Sequence, residues 1–94
     1  MKLFLPLTEK QKQLFEDIIS FWDKNGYPPT YNEMKTVTQT KNIFAIQKHI
    51  KSLETKGYIS IVKGKRRGIR LTETGEEYAS KLHQLGLFEY GKRG

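Results

Sequence analysis

The apolar positions of the chain change their spacing along its length, and each change marks the edge of an element. Between Thr8 and Asn25, Leu14, Phe15, Ile18, Ile19 and Trp22 recur at three- and four-residue intervals, which places them on one stripe of a helix facing a core. Thr8 and Gln11 have the spacing of a capping box at its start. Gly26 stands where a left-handed C-cap is wanted, and Tyr27-Pro28-Pro29 cannot continue a helix. Thr30 with Glu33 repeats the capping-box spacing and predicts a short second helix that turns Met34 and Val37 inward. The polar run Thr38-Gln39-Thr40-Lys41 reads as a turn, and Asn42 is a good N-cap for a third helix reaching about Lys56, with Gly57 behind it as the C-cap. Ile43, Ile46, Ile50 and Leu53 form that helix's buried stripe, while Phe44, Gln47, Lys48 and Lys51 lie on its solvent face.

After Gly57 the period shortens to two. Tyr58-Ile59-Ser60-Ile61-Val62 is β-branched and aromatic, Ile69-Arg70-Leu71 alternates, and Lys63-Gly64-Lys65-Arg66-Arg67-Gly68 lies between them, the pattern of a hairpin with a basic tip. Two strands alone are marginal in water, so Ile59, Ile61, Ile69 and Leu71 must pack on the helices. Helical spacing returns at Thr72, with Tyr78, Leu82 and Leu85 on one face and Gly86 as the stop, before an apolar Leu87-Phe88-Glu89-Tyr90 segment and a Gly-Lys-Arg-Gly terminus. The predicted fold is mainly α with a small antiparallel β-hairpin, in the order of a winged helix-turn-helix: a three-helix core, a two-stranded wing and a C-terminal helix. Residues 1–71 are expected to form the winged unit, and residues 72–94 a helix and tail that belong to the same domain or serve dimerisation.

A chain of 94 residues has room for one core. Its lack of cysteine excludes disulfide scaffolds and thiolate metal sites. The opening Met-Lys-Leu-Phe-Leu-Pro-Leu is too short and too soon broken by Pro6 for an export signal, and no apolar run approaches the ~20 residues that span a bilayer. A cytoplasmic, nucleoid-associated placement in a prokaryote or phage is expected. The net charge of +7 asks for a polyanionic partner. From Lys35 to Arg70 ten basic residues face a single acid, Glu54, whereas the rest of the chain holds seven bases and nine acids. The positive potential is therefore confined to one part of the chain, from the second helix through the hairpin, rather than spread for solubility.

Particular residues carry a further likeness. Leu7-Thr8 precedes helix one, Gly26-x-Pro28-Pro29-Thr30-x-x-Glu33 leads into helix two, and His49-x-Lys51-x-Leu53 lies in helix three. Lys56-Gly57-x-Ile59-x-Ile61-Val62 and Arg67-Gly68-Ile69-Arg70-Leu71 frame the hairpin. In this combination the chain resembles the N-terminal DNA-binding domain of LexA repressors over roughly residues 4 to 71. The resemblance implies a winged helix-turn-helix whose third helix enters the major groove. LexA repressors continue into a self-cleaving Ser-Lys peptidase and dimerisation domain that residues 72–94 do not resemble, so no self-cleavage is expected of this chain. In the recognition region the family pattern Ser-x-Asn-Ala-x-Glu-Glu is replaced by Asn42-Ile43-Phe44-Ala45-Ile46-Gln47-Lys48, which keeps only the alanine; the family's operator sequence does not transfer. Gln39 stands where the turn of the family has glycine, and Lys35 where helix two has a small residue.

The chemistry of these residues suits base-edge and phosphate contacts. Asn42 and Gln47 carry amides that can pair with adenine, and Lys48 can reach guanine acceptors. Ala45 fits a thymine methyl or merely fills the helix. Phe44 suits thymine methyls, an unpaired base to stack on, or a hydrophobic contact with helix two that would bury it. Tyr31 at the start of helix two can donate to a phosphate, with Lys41 and Lys51 adding positive charge. Lys63, Lys65, Arg66 and Arg67 on the hairpin tip are expected to follow a backbone or enter a minor groove. His49 and His83 are far apart and have no metal-ligand spacing, no nucleophile setting surrounds Ser20, Ser52, Ser60 or Ser80, and no phosphate-binding glycine loop is present. No enzyme activity, metal or cofactor is expected. Three functions remain. The first is a sequence-specific duplex-DNA regulator, able to dimerise through the C-terminal helix. The second is a single-stranded nucleic-acid accessory protein gripping through Phe44 and the wing. The third is a protein-interaction module, inhibitor or adaptor, working through Leu87, Phe88 and Tyr90.

Overall fold

The computed structural model describes residues 6–38 and 40–84. Four helices and two strands follow one another as α1 (Glu9–Asn25), α2 (Tyr31–Val37), α3 (Ile43–Thr55), β1 (Ile59–Ile61), β2 (Ile69–Leu71) and α4 (Glu73–Gln84). The strands pair antiparallel, with Ile59 opposite Leu71 and Ile61 opposite Ile69. The order and pairing are those of a winged helix-turn-helix, as the periodicities predict.

Local chemistry fixes the helix ends. Both capping boxes form: Thr8 and Gln11 satisfy each other's amides at the start of α1, and Thr30 and Glu33 do the same at α2. Asn42 Oδ1 accepts from the amides of Phe44 and Ala45, closing the start of α3. At its other end Gly57 takes a φ of +88°. There the amide of Tyr58 reaches back to Leu53 O at 3.0 Å and that of Gly57 to Glu54 O at 3.0 Å. This is a Schellman arrangement that turns the chain into β1. Thr72 caps α4 by accepting from the Gly75 amide, while its hydroxyl donates to Gly57 O.

The predicted stripes supply the buried side chains Leu14, Phe15, Ile18 and Ile19 from α1, Met34 from α2, and Ile46, Ile50 and Leu53 from α3, whereas Trp22 and Ile43, predicted on the same stripes, are only half-buried. Ile59 and Ile69 from the hairpin join the buried set, with Ala79 and Leu82 from α4. Tyr58, which the sequence pattern assigns to a strand, is instead a core residue, 1% exposed. Its ring meets Phe15 at 5.5 Å and Tyr78 at 5.7 Å, and Phe15 meets Tyr78 at 5.3 Å. Three segments are thereby pinned through edge and tilted aromatic contacts. Burial pushes the Tyr78 hydroxyl up to about 12, helped by the carboxylate of Glu16 to which it donates.

Val37 departs from expectation. It is 39% exposed because α2 has only two turns, and Met34 and the buried Thr38 occupy their inward side. The Thr38 hydroxyl donates to Met34 O at 2.8 Å and accepts from the Thr40 amide, which shapes the α2–α3 turn. The expected contributions of Gln39, Leu85, Gly86 and the 87–94 tail lie outside the described residues.

Candidate nucleic-acid interface

The helical twist sets Ile46, Ile50 and Leu53 into the core, so residues near the opposite side of α3 must face out. Phe44, Gln47, Lys48 and Lys51 are all exposed. Phe44 is 75% exposed, so the contact with helix two that would have buried it does not form. Lys51 pairs with Glu54 at 3.7 Å, yet its side chain is still 77% exposed. Such a pair holds the lysine only weakly. Ala45 is half-buried at the flank. Asn42 is exposed, but its Oδ1 is committed to the cap, which leaves its Nδ2 as the outward end of the amide. His49 sits half-buried beside this face, and burial, then Lys10 and Lys48, hold its imidazole below the ordinary histidine value.

The wing brings a second group of cations. Lys63, Lys65 and Arg66 are exposed on the turn between the strands. Gly64 there has a φ of +81°, and a Cβ on Gly68 would come within 2.5 Å of Val62 O, so both glycines are required by the tightness of the hairpin. Lys65 and Arg66 line a shallow recess with Pro29, Tyr31, Met34 and Ile61, which puts the wing beside the start of α2. Tyr31 is half-buried in that recess, and burial followed by the charge of Glu54 raises its hydroxyl above the ordinary tyrosine value.

Several basic residues have internal partners that sequence spacing could not show. Lys41 donates to Lys35 O at 3.0 Å, at the end of α2. Lys56 reaches 45 positions back to Gln11 Oε1 and also to Pro6 O, each at 2.7 Å. Arg67, expected among the phosphate contacts of the tip, is instead engaged by the protein itself, although its side chain remains 37% exposed. It forms a two-pronged pair with Glu33, Nη1 to Oε1 at 2.7 Å and Nη2 to Oε2 at 2.9 Å, and donates to Pro28 O at 2.9 Å. Its guanidinium also lies 4.3 Å from the centre of the Tyr27 ring. The hydrogen bonds from Arg67 hold the Glu33 carboxyl at about 2, well below its ordinary value. The reason the spacing missed this pair is reach: Glu33 is 34 residues away in sequence and adjacent only after folding.

A core of three helices, a two-helix turn with its third helix bare on one side, and a cationic hairpin define a winged helix-turn-helix of the DNA-binding class. The chain belongs to the LexA DNA binding domain family, whose pattern matches residues 4–68. It is 43% identical over 68 residues to the LexA repressor of Cellvibrio japonicus (strain Ueda107), covering 72% of this chain and 34% of that protein. It is 38% identical over 85 residues to the LexA repressor of Desulfatibacillum aliphaticivorans, covering 90% of this chain and 42% of that protein. The chain thus spans between a third and a half of the length of these curated relatives. Among the described residues no helix is long and apolar enough to cross a membrane.

Proposed function

We propose that the chain is a sequence-specific duplex-DNA-binding protein acting as a transcriptional repressor. In this reading α3 enters the major groove and the wing lies on the flanking backbone or minor groove. One observation carries it: the side of α3 left bare by the core holds Gln47, Lys48 and Lys51 around Phe44, and the exposed wing cations add to the same charge. A solvated face has no need to keep a phenylalanine in water, whereas a face that fits a groove does. Gln47 and Lys48 are the base-edge readers, joined by the outward end of the Asn42 amide. Phe44 meets thymine methyls, with Ala45 beside it. Lys51, Tyr31, Lys63, Lys65 and Arg66 supply phosphate contacts, Lys41 adds charge at the α2–α3 turn, and Arg67 serves them through its pair with Glu33.

Single-strand gripping is less well supported, because such grooves set aromatic rings in succession along the strand. The described ring pairs join Phe15, Tyr58 and Tyr78 in the core and Phe21 with Tyr27, and Phe44 stands apart from them. Two copies of the domain, each on one half-site, fit the limited area that a unit of this size buries on DNA.

Selection of bound duplexes from a random pool tests the reading. An enriched motif is expected, and a palindrome within it indicates a dimer. Gln47→Ala should then relax preference at one base pair by about 1 to 3 kcal/mol and leave the other positions unchanged. Recovery of no duplex motif, with single strands bound more tightly, sinks the reading.

A further inference from the structure

We propose that Arg67 and Glu33 form a clamp that sets the attitude of the wing, so that both are positioning residues for the phosphate contacts of Lys63, Lys65 and Arg66. The inference rests on the duplex-DNA reading above. The hairpin is short, two strands of three residues each, and so small a sheet does not hold its own shape in water. Its base is fixed by Ile59 and Ile69 in the core and by the Val62 amide on Gly68 O at 2.8 Å. Beyond that base the chain makes the turn that carries the three exposed cations, and Arg67 ties that turn back to the helices.

What Arg67 reaches is itself well fixed. Glu33 closes the capping box of α2 while both of its oxygens accept from the guanidinium. Pro28 O receives a third bond, and Tyr27 beneath the guanidinium packs edge-on against Phe21 of α1 at 6.0 Å. The clamp therefore joins the wing to the α1–α2 connection and to the first turn of α2, a helix that packs on α3. A planar fork held at two oxygens, a carbonyl and a ring fixes direction as well as distance, which a point charge would not. A tip released to swing would still carry its charges but would present them to fewer phosphates at once.

The sign of one substitution separates positioning from simple charge. Glu33→Gln removes a negative charge and frees an arginine, so electrostatics alone predicts tighter binding to DNA. Glutamine also completes a capping box, so α2 keeps its start. The clamp predicts the reverse: about fivefold weaker binding at ~0.15 M salt for each phosphate that the tip no longer reaches, with the slope of log K against log salt shallower by about 0.9 per phosphate. Arg67→Lys keeps the charge but removes the fork, and should move both readouts in the same direction. Binding is measured at a temperature where circular dichroism shows each variant folded, and Arg67→Lys decides the matter should Glu33→Gln not fold. In a Lys63→Ser, Lys65→Ser, Arg66→Ser background the same Glu33→Gln change should cause no loss, because the tip then has no cations to misplace. Equal or tighter binding with an unchanged slope overturns the clamp, and so does a loss that persists in the wing-neutralised background. A parent protein that binds duplex DNA without salt dependence overturns the underlying reading instead.

Discussion

Phe44 occupies the second position of α3, and its amide is held by Asn42 Oδ1 at 2.8 Å. Its backbone is therefore fixed while its ring stays in water, an arrangement that burial against DNA would relieve. The C5 methyl of thymine is the one apolar group that the major groove offers at a base edge. Replacing thymine with deoxyuridine deletes that methyl and keeps the hydrogen-bonding edge. Within the selected site, one such replacement under α3 should weaken binding by about 0.8 kcal/mol, the worth of a single buried carbon, and Phe44→Ala should bind both duplexes equally. Competition titrations with the paired duplexes decide it. Sensitivity that survives Phe44→Ala would assign the methyl to Ala45, and its complete absence would leave Phe44 without this role.

At the scale of elements, helix starts and stops are legible in the sequence because each depends on residues a few positions apart: Thr8 with Gln11, Thr30 with Glu33, Asn42 with the amides that follow it. The solvent face of α3 can be read for the same reason. Arg67, Lys56 and Tyr58 cannot be placed this way, since their partners are distant in sequence, and a cation in a basic stretch looks the same whether it meets a phosphate or a carbonyl of its own chain. Gly75 is another such residue. In the sequence it is a weak helix former in the first turn of α4. In the fold, a Cβ there would collide with Tyr58 O, so the glycine lets α4 close on the turn between α3 and β1. Helix propensity predicts that Gly75→Ala stabilises the protein by up to about 1 kcal/mol; close packing predicts a loss of about 1 to 3 kcal/mol. Urea denaturation should show the loss, and a stabilised variant would mean that α4 stands off further than the structure places it.

Over the whole molecule, charge is divided between elements. Acids and bases nearly balance on α1, where Glu9, Glu16, Asp17 and Asp23 face Lys10, Lys12 and Lys24, and α4 sets Glu73, Glu76 and Glu77 against Lys81, whereas α3 and the wing carry Lys48, Lys51, Lys63, Lys65 and Arg66 against Glu54 alone. A net charge of +7 distributed this way gives the domain a direction of approach to a polyanion as well as an affinity for it. The two parts of the interface should then respond differently to the same measurement. Base-edge contacts release few counterions, so removing the Gln47 amide changes which sequence is preferred and leaves the salt slope nearly as it was. Changing Lys63, Lys65 and Arg66 together to serine should weaken selected and scrambled duplexes alike and reduce the slope of log K against log salt by about 2 to 3 for each bound domain. Fluorescence anisotropy on both duplexes from about 50 to 200 mM salt reads the two quantities together. A triple variant that loses affinity only for the selected duplex would put the wing on base edges rather than on the backbone. The division of labour between helix and hairpin would then have to be redrawn.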